Sequence, residues 1–458
     1  MSTNIQKNQI TEGIIWRQLL LFFFPILLGT FFQQLYNTID SVIVGQFVGK
    51  EALAAVGGSS AQIVAFVVGF FTGLSSGASV TIAQFFGAKD SRSANKGLHT
   101  AYAIAAFGGL ILTVSGIILT PFLLEMMNTP ADIVADSAVY LRIYFAGIIF
   151  VLIYNIGSAI LRATGDSKRP LYYLIVCCII NIVLDVLFVI VFHMGVMGVA
   201  VATLIAQAVS AVLVTLKLMR SEGILKLSVK QIRFHGSILK MQLKLGLPTG
   251  FEAILFSITN IAIQSAVNTF GTDTTAAWSA YGKLDAIFWM VSTAFGIAIT
   301  TFVGQNYGAG KMDRVRKSTR VCLLMDFIVS AVLVVFLIAA RFLLFRLFTN
   351  DSHVIEIGCD MLVLITPWYI VYVFIEVIAG ALRGVGNVVV PVVITLLGVC
   401  VLRIAWLAAM LKISPTISAI ILSYPVTWVI TALAFIIYYI YITHKTIAGS
   451  SKKHVPKL

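Results

Sequence analysis

Three observations predict an all-α polytopic membrane protein with twelve transmembrane helices in two six-helix halves. Of the 458 residues, 59% are hydrophobic and only 11% are charged, whereas an average soluble domain is about 25% charged. Twelve stretches are long and apolar enough to cross a bilayer core, which needs about 20 such residues each. Several short motifs also recur at an almost constant offset. A chain this apolar has too little polar surface to cover a soluble globule of its size. That argues against a soluble enzyme, a disordered chain and a nucleic-acid binder, despite a net charge of +13.

The stretches, numbered as helices 1 to 12, are 16–40, 52–80, 98–122, 134–157, 171–193, 197–219, 243–270, 275–302, 320–346, 353–380, 391–411 and 416–443. A transmembrane barrel shows segments of about ten residues alternating with period two. Residues 104–119 are instead apolar all round, so helices are expected. Residues 1–13 are polar and no small-residue cleavage site follows, which is not the pattern of a cleavable signal peptide.

Orientation follows from Lys and Arg, which collect in cytoplasmic loops. With even-numbered loops and both termini placed inside, the inner side holds 25 of the 32 cations, among them Lys7, Lys452, Lys453 and Lys457. Outside are only Lys50, Arg341, Arg346 and Lys412; within spans are Arg142, Lys283 and Arg403. The expectation is a multi-pass protein of the cytoplasmic membrane with both termini in the cytoplasm. The basic balance is then a topology signal, with no nucleic-acid partner. Cys177, Cys178, Cys322, Cys359 and Cys400 show neither metal spacing nor a disulfide framework and read as small buried hydrophobes.

The chain repeats itself. Leu161-Arg162-Ala163-Thr164-Gly165 matches Leu382-Arg383-Gly384-Val385-Gly386, with Pro170 and Pro391 following at the same distance, and Gln84 to Ala88 matches Gln305 to Ala309. All are 221 apart; Gly49 and Gly271 differ by 222, Pro25 and Pro248 by 223. Six helices per repeat is an even number, so both halves enter from the same side, as parallel repeats do. The expected organisation is an N-lobe at 1–220 (helices 1–6), a basic interfacial cytoplasmic linker at 221–242, and a C-lobe at 243–458 (helices 7–12). Gly69, Gly73 and Gly77 in helix 2 form a double G-x-x-x-G, read as close helix packing.

Ionisable groups inside spans are costly and mark function by default. Six of 19 carboxylates qualify: Asp40, Asp185, Glu252, Asp285, Asp326 and Glu376. On helix 1, Gln33, Asn37 and Asp40 share one face and Tyr36 lies one turn before Asp40. On helix 5, Asn181 and Asp185 are i, i+4. Two carboxylates buried in one lobe disfavour each other's charge, so the pair is expected to hold a proton near neutral pH. In the second lobe Glu252 follows Pro248 by four residues, and Trp368, Tyr372 and Glu376 align on helix 10. Lys283 and Asp285 point to different sides and are expected to find internal ion-pair partners such as Arg403 or Arg142. Asp326 is expected near the cytoplasmic interface. Gln34, Tyr36, Asn37, Glu252, Tyr372 and Glu376 are the candidates for a substrate cavity.

These motifs resemble the multidrug and toxic compound extrusion (MATE) family of antiporters, over nearly the whole chain. The resemblance is carried by QQLYNTIDSVIVGQFVG at 33–49, LRATGDSKRP at 161–170, GKLD at 282–285, TTFVGQNYGAGK at 300–311 and ALRGVGN at 381–387. By resemblance, Asp40 matches the helix 1 aspartate that binds a proton or sodium ion, and Asn181 and Asp185 match the helix 5 members of that site. The chain departs from the branch of the family that binds sodium through a helix 7 Glu and a helix 10 Asp. Here the helix 10 acid is Glu376, and Tyr372 stands where that Asp aligns.

The function expected is that of a cation-coupled antiporter, with H⁺ or Na⁺ as coupling ion and no other cofactor, exporting small amphipathic organic cations by alternating access. It is expected to be a monomer in the lipid bilayer and not an enzyme. The rival is a lipid-linked oligosaccharide or peptidoglycan-precursor flippase of the same superfamily, which would want several cations facing a pyrophosphate. A membrane prenyl or glycosyl transferase would need clustered carboxylates for Mg²⁺ at a membrane face, and the loops hold only isolated Asp90, Asp166 and Asp313.

Overall fold

A computed structural model describes residues 9–449; Lys7, Lys452, Lys453 and Lys457 of the inner charge set lie outside the described residues. Twelve helices are long and apolar enough to cross a membrane: Ile15–Phe47, Lys50–Gly87, Ser91–Met126, Val134–Ala163, Lys168–Val191, Gly195–Met219, Gly236–Asn268, Thr272–Gly308, Met312–Ala339, Ser352–Gly384, Val389–Ile413 and Ile417–His444. These are helices 1 to 12, and each overlaps its expected stretch.

Local signals set several of the ends. The Asp90 side chain accepts from the Ser93 amide at 3.0 Å and caps helix 3; Asp351 accepts from the His353 amide at 2.9 Å and caps helix 10. The repeat extends to the backbone. The amides of Asp166 and Asn387 return to the carbonyls of Leu161 and Leu382 at 2.9 and 3.0 Å, around Gly165 and Gly386, whose φ angles are +97° and +87°. This left-handed cap is one a glycine adopts without strain. Equivalent bonds join Asp90 to Phe85 and Lys311 to Asn306 at 3.0 and 2.9 Å. Helix 9 stops at Ala339, earlier than the expected 346, and a short helix, Arg341–Arg346, follows. Continuous apolar character hid the break. Helix 10 is interrupted by a 3₁₀ turn at Thr366–Trp368, because Pro367 lacks an N–H and its ring crowds the preceding turn. Pro25 and Pro248, in contrast, lie within continuous helices.

The chain forms two compact units. One comprises residues 22–250; the other comprises, of the described residues, 251–449 together with 9–21. In the first, the helix 2 glycines meet the start of helix 7. A methyl group on Gly73 would lie 2.5 Å from the Gly250 amide nitrogen, and one on Gly77 would strike the Gln242 carbonyl. The linker is fastened to the same unit: the Ser228 amide donates to His99 Nε2 at 3.0 Å, Asn95 Nδ2 donates to the Lys226 carbonyl at 3.1 Å, and Leu227 is buried in the core. In the second unit the core is aromatic, built on Phe288, Tyr369, Tyr372 and Trp428. Arg314 and Lys311 donate to the carbonyls of Ile10, Gly13 and Thr11, fixing the first described turn there.

Candidate functional site

Within the unit of residues 22–250, three helices bring a polar cluster into an apolar interior. Helix 1 supplies Tyr36 and Asp40, helix 5 Asn181 and Asp185, and helix 6 Thr203 and Gln207, all buried. The Asp40 carboxyl faces Asp185, Asn181 and Thr203. The Thr203 hydroxyl donates to Asp40 Oδ2 at 3.5 Å, and Gln207 Nε2 donates to the Tyr36 hydroxyl at 3.3 Å. Asp185 closes the regular part of helix 5, and the next six residues, Val186–Val191, wind as a π-helix. Such bulges displace side chains from the α-helical register and recur at functional sites.

Five atoms of this cluster make no hydrogen bond to the protein: Asp40 Oδ1, both carboxylate oxygens of Asp185, and both amide atoms of Asn181. Among the described residues, none of the ion pairs within 4.0 Å involves either aspartate. Two buried carboxyls with no resident cation are costly unless something cancels their charge. The donor set is entirely hard oxygen: two carboxyls, one amide carbonyl and a hydroxyl. It suits a proton or a small hard cation and offers nothing to soft transition metals.

The other unit treats its acids differently. Arg383 Nη2 donates to Glu376 Oε1 at 2.9 Å, and Glu252 lies in the field of both. Glu376 packs on Gly296, where any Cβ would collide with its carboxyl. Asp285 does not form the expected ion pair within 4.0 Å. It accepts from Trp289 Nε1 at 2.8 Å, from the Tyr281 hydroxyl at 3.4 Å and from the Tyr369 hydroxyl. Arg403 instead lies 4.0 Å over the Tyr424 ring and donates to Thr427 at 3.0 Å. Lys283 is exposed. Asp326 is not solvated: it is fully buried, with Ser330 donating to Oδ1 at 3.1 Å. All five cysteines are buried and free.

The structure therefore gathers Asp40, Asn181, Asp185 and Tyr36 in one place. It leaves Gln33, Gln34 and Asn37 on the exposed side of helix 1, so the helix buries its Tyr36–Asp40 face, not the face through Asn37. Tyr372 is enclosed in the aromatic core, whereas Trp368, in the 3₁₀ turn, is partly exposed. Sequence reading missed Thr203 and Gln207, and also Tyr140 and Tyr144 of helix 4, which lie close to Tyr36. Each is an i, i+4 polar or aromatic pair, a readable signal in so apolar a chain.

This site lies inside a recognisable framework. The MatE family model matches residues 25–187 and 248–407. The chain belongs to the MATE family. The two matched stretches open on Pro25 and Pro248, so each covers most of one repeat of the MATE protein. It is 30% identical over 393 residues to "Probable multidrug resistance protein YoeA" of Bacillus subtilis, with 84% of each chain covered. It is also 30% identical over 400 residues to "Probable multidrug resistance protein YpnP" of the same organism, covering 87% and 89%. A MOP superfamily transporter from Pyrococcus furiosus superposes with a TM-score of 0.90 at 20% identity, over 99% of this chain and 100% of that one; the likeness is one of fold. The protein is thus a multi-pass member of a family of multidrug efflux transporters.

Proposed function

We propose that this MATE protein exports amphipathic organic cations across the cytoplasmic membrane in exchange for H⁺ or Na⁺, with both termini in the cytoplasm. The coupling ion is held by Asp40, Asn181 and Asp185. The observation that carries this reading is the contrast between the two units. Five buried polar atoms of Asp40, Asn181 and Asp185 are left without a hydrogen bond and face one another, while Glu376 has Arg383 as a resident counter-ion. The first cluster brings two facing carboxyls together with no resident counter-ion among the described residues, and so has charge to offer to a cation that comes and goes.

Transport is by alternating access. A proton or sodium ion arriving from outside neutralises the aspartates and weakens the hold on a cationic substrate. A substrate arriving from inside does the reverse. Coupling is competition for one charge, and the linkage is reciprocal. The flippase alternative wants a row of free cations for a pyrophosphate. Arg383 is paired and Arg403 is buried against Tyr424, which speaks for the exporter.

The test is transport by the purified protein in vesicles, with a pH gradient and a sodium gradient imposed separately. One gradient should drive accumulation of a cationic dye, and the dye in turn should drive movement of that ion. Dye movement indifferent to both gradients would overturn the reading.

A further inference from the structure

A second site lies in the unit of residues 251–449. Helix 9 starts beside the anchored segment at residues 10–13, and its other end, at Ala339, is followed by the short helix Arg341–Arg346 and the beginning of helix 10. Beside the short helix and the start of helix 10, at the end of helix 9 away from the anchored segment, is a cavity of about 960 Å³. The volume is that of a small-molecule site.

Its lining carries two charges of each sign. Arg341 and Arg346 come from the short helix; Glu356 and Asp360 come from one face of helix 10, one turn apart. Among the described residues none of the four is in an ion pair within 4.0 Å. Arg341 uses one nitrogen on the Ile338 carbonyl at 2.8 Å, and its guanidinium stacks 4.6 Å from the Phe342 ring centre. Arg346 is exposed and uncommitted. Apolar surface completes the lining, with Phe342 and the partly exposed indole of Trp368. Leu343 of the short helix and Leu347 just after it are turned outward, 68% and 72% exposed. Apolar side chains beside charged ones on a short helix at a span's end are the pattern of an interfacial segment.

We propose that this cavity binds a phospholipid with a zwitterionic, primary-ammonium headgroup. A lone anion would meet Glu356 and Asp360, and a lone cation would meet the two arginines. A phosphoethanolamine group satisfies both. Its phosphate takes the forked guanidinium donors, its ammonium donates to the carboxylates, and its chains lie against Phe342 and Trp368. A trimethylated headgroup has no N–H to donate, and phosphatidylglycerol has no cation, so both bind more weakly.

The test uses the full-length protein in neutral detergent, with native mass spectrometry to count retained lipid. The probes are dioleoyl-phosphatidylethanolamine, -phosphatidylcholine and -phosphatidylglycerol at equal concentration. Phosphatidylethanolamine should be retained at least about fivefold better than either, and Arg346→Gln and Glu356→Gln should each abolish that preference. Both positions are exposed, so the variants are expected to keep the wild-type melting temperature; if either does not, the chemical substitution of lipid headgroups alone decides. Equal retention of the three lipids, or a preference unaltered in both folded variants, overturns the proposal. So does binding of soluble O-phosphoethanolamine as tight as that of the lipid, which would assign the site to a water-soluble zwitterion.

Discussion

Arg383 and Glu376, seven residues apart on helix 10, are joined by a 2.9 Å hydrogen bond between partly buried charges. No such bond serves Asp40 or Asp185 in the other unit. The repeat gives Arg383 a counterpart at Arg162, yet no ion pair of Arg162 occurs among the described residues. Two halves of one ancestral pattern have thus been given different electrostatics.

The first prediction follows from that asymmetry. Asp185→Asn should lower gradient-driven export about tenfold or more, the scale of a typical coupling free energy. Glu376→Gln should leave coupling intact while lowering the melting temperature, since it strands Arg383. Vesicle transport with each variant checks this. Loss of coupling in Glu376→Gln with normal transport by Asp185→Asn would move the ion site to the other unit.

Asp40→Asn should insert and fold normally, because a neutral amide is cheaper to bury than a charge. It keeps size and hydrogen bonding and removes the exchangeable charge. Cells carrying it should lose tolerance to cationic dyes at unchanged protein level. Wild-type export rates against a gradient would reduce Asp40 to a polar contact.

Gly73→Ala should be destabilising by about 1–3 kcal/mol, the usual cost of overpacking, because its methyl group would lie 2.5 Å from the Gly250 backbone, which cannot step aside. Gly57→Ala places its methyl group in open space and should be neutral or slightly stabilising, as alanine is the better helix former. Thermal unfolding in one detergent, followed by tryptophan fluorescence, compares the two.

The linker should loosen in acid. His99 Nε2 accepts from the Ser228 amide at 3.0 Å. His235, 3.1 Å from the Thr100 hydroxyl, is held below the ordinary histidine range by burial and by Arg233, Lys96 and His99. A base whose value is depressed by folding contributes stability above its unfolded value of about 6.5 and loses it as pH falls through the folded one. Protection factors across Lys226–Ile232, which correct for the intrinsic slowing of amide exchange in acid, should be high at pH 7.5 and lower near pH 5.5. Equal protection at both values would show that the fastening does not depend on these rings.

Composition and hydropathy settled the class and the twelve spans, because transfer of a segment into lipid depends on that segment alone; the recurring motifs carried the repeat. The Leu-Arg-x-x-Gly motifs even foretold paired turns, since a left-handed residue after a helix is a local demand met by Gly165 and Gly386. The acids of helices 1 and 5 stood out for the same reason: a carboxyl in a span is conspicuous wherever it points.

What each polar group meets was settled only by tertiary structure. A helix that is apolar all round carries no stripe to say which side faces inward, so the rotation that buries Tyr36 with Asp40 and leaves Asn37 outside was not legible. Nor was the partner of Asp285. Sequence offers a nearby arginine as readily as three aromatic donors, and packing chose Tyr281, Trp289 and Tyr369. The place of helix 7 was likewise fixed by contact. Its first turns belong with residues 22–250 because Gly246 and Gly250 let its backbone settle on Gly73 and Gly77. In a membrane such choices rest on close packing and hydrogen bonds between helices, not on hydrophobicity, since lipid is as apolar as the side chains it touches.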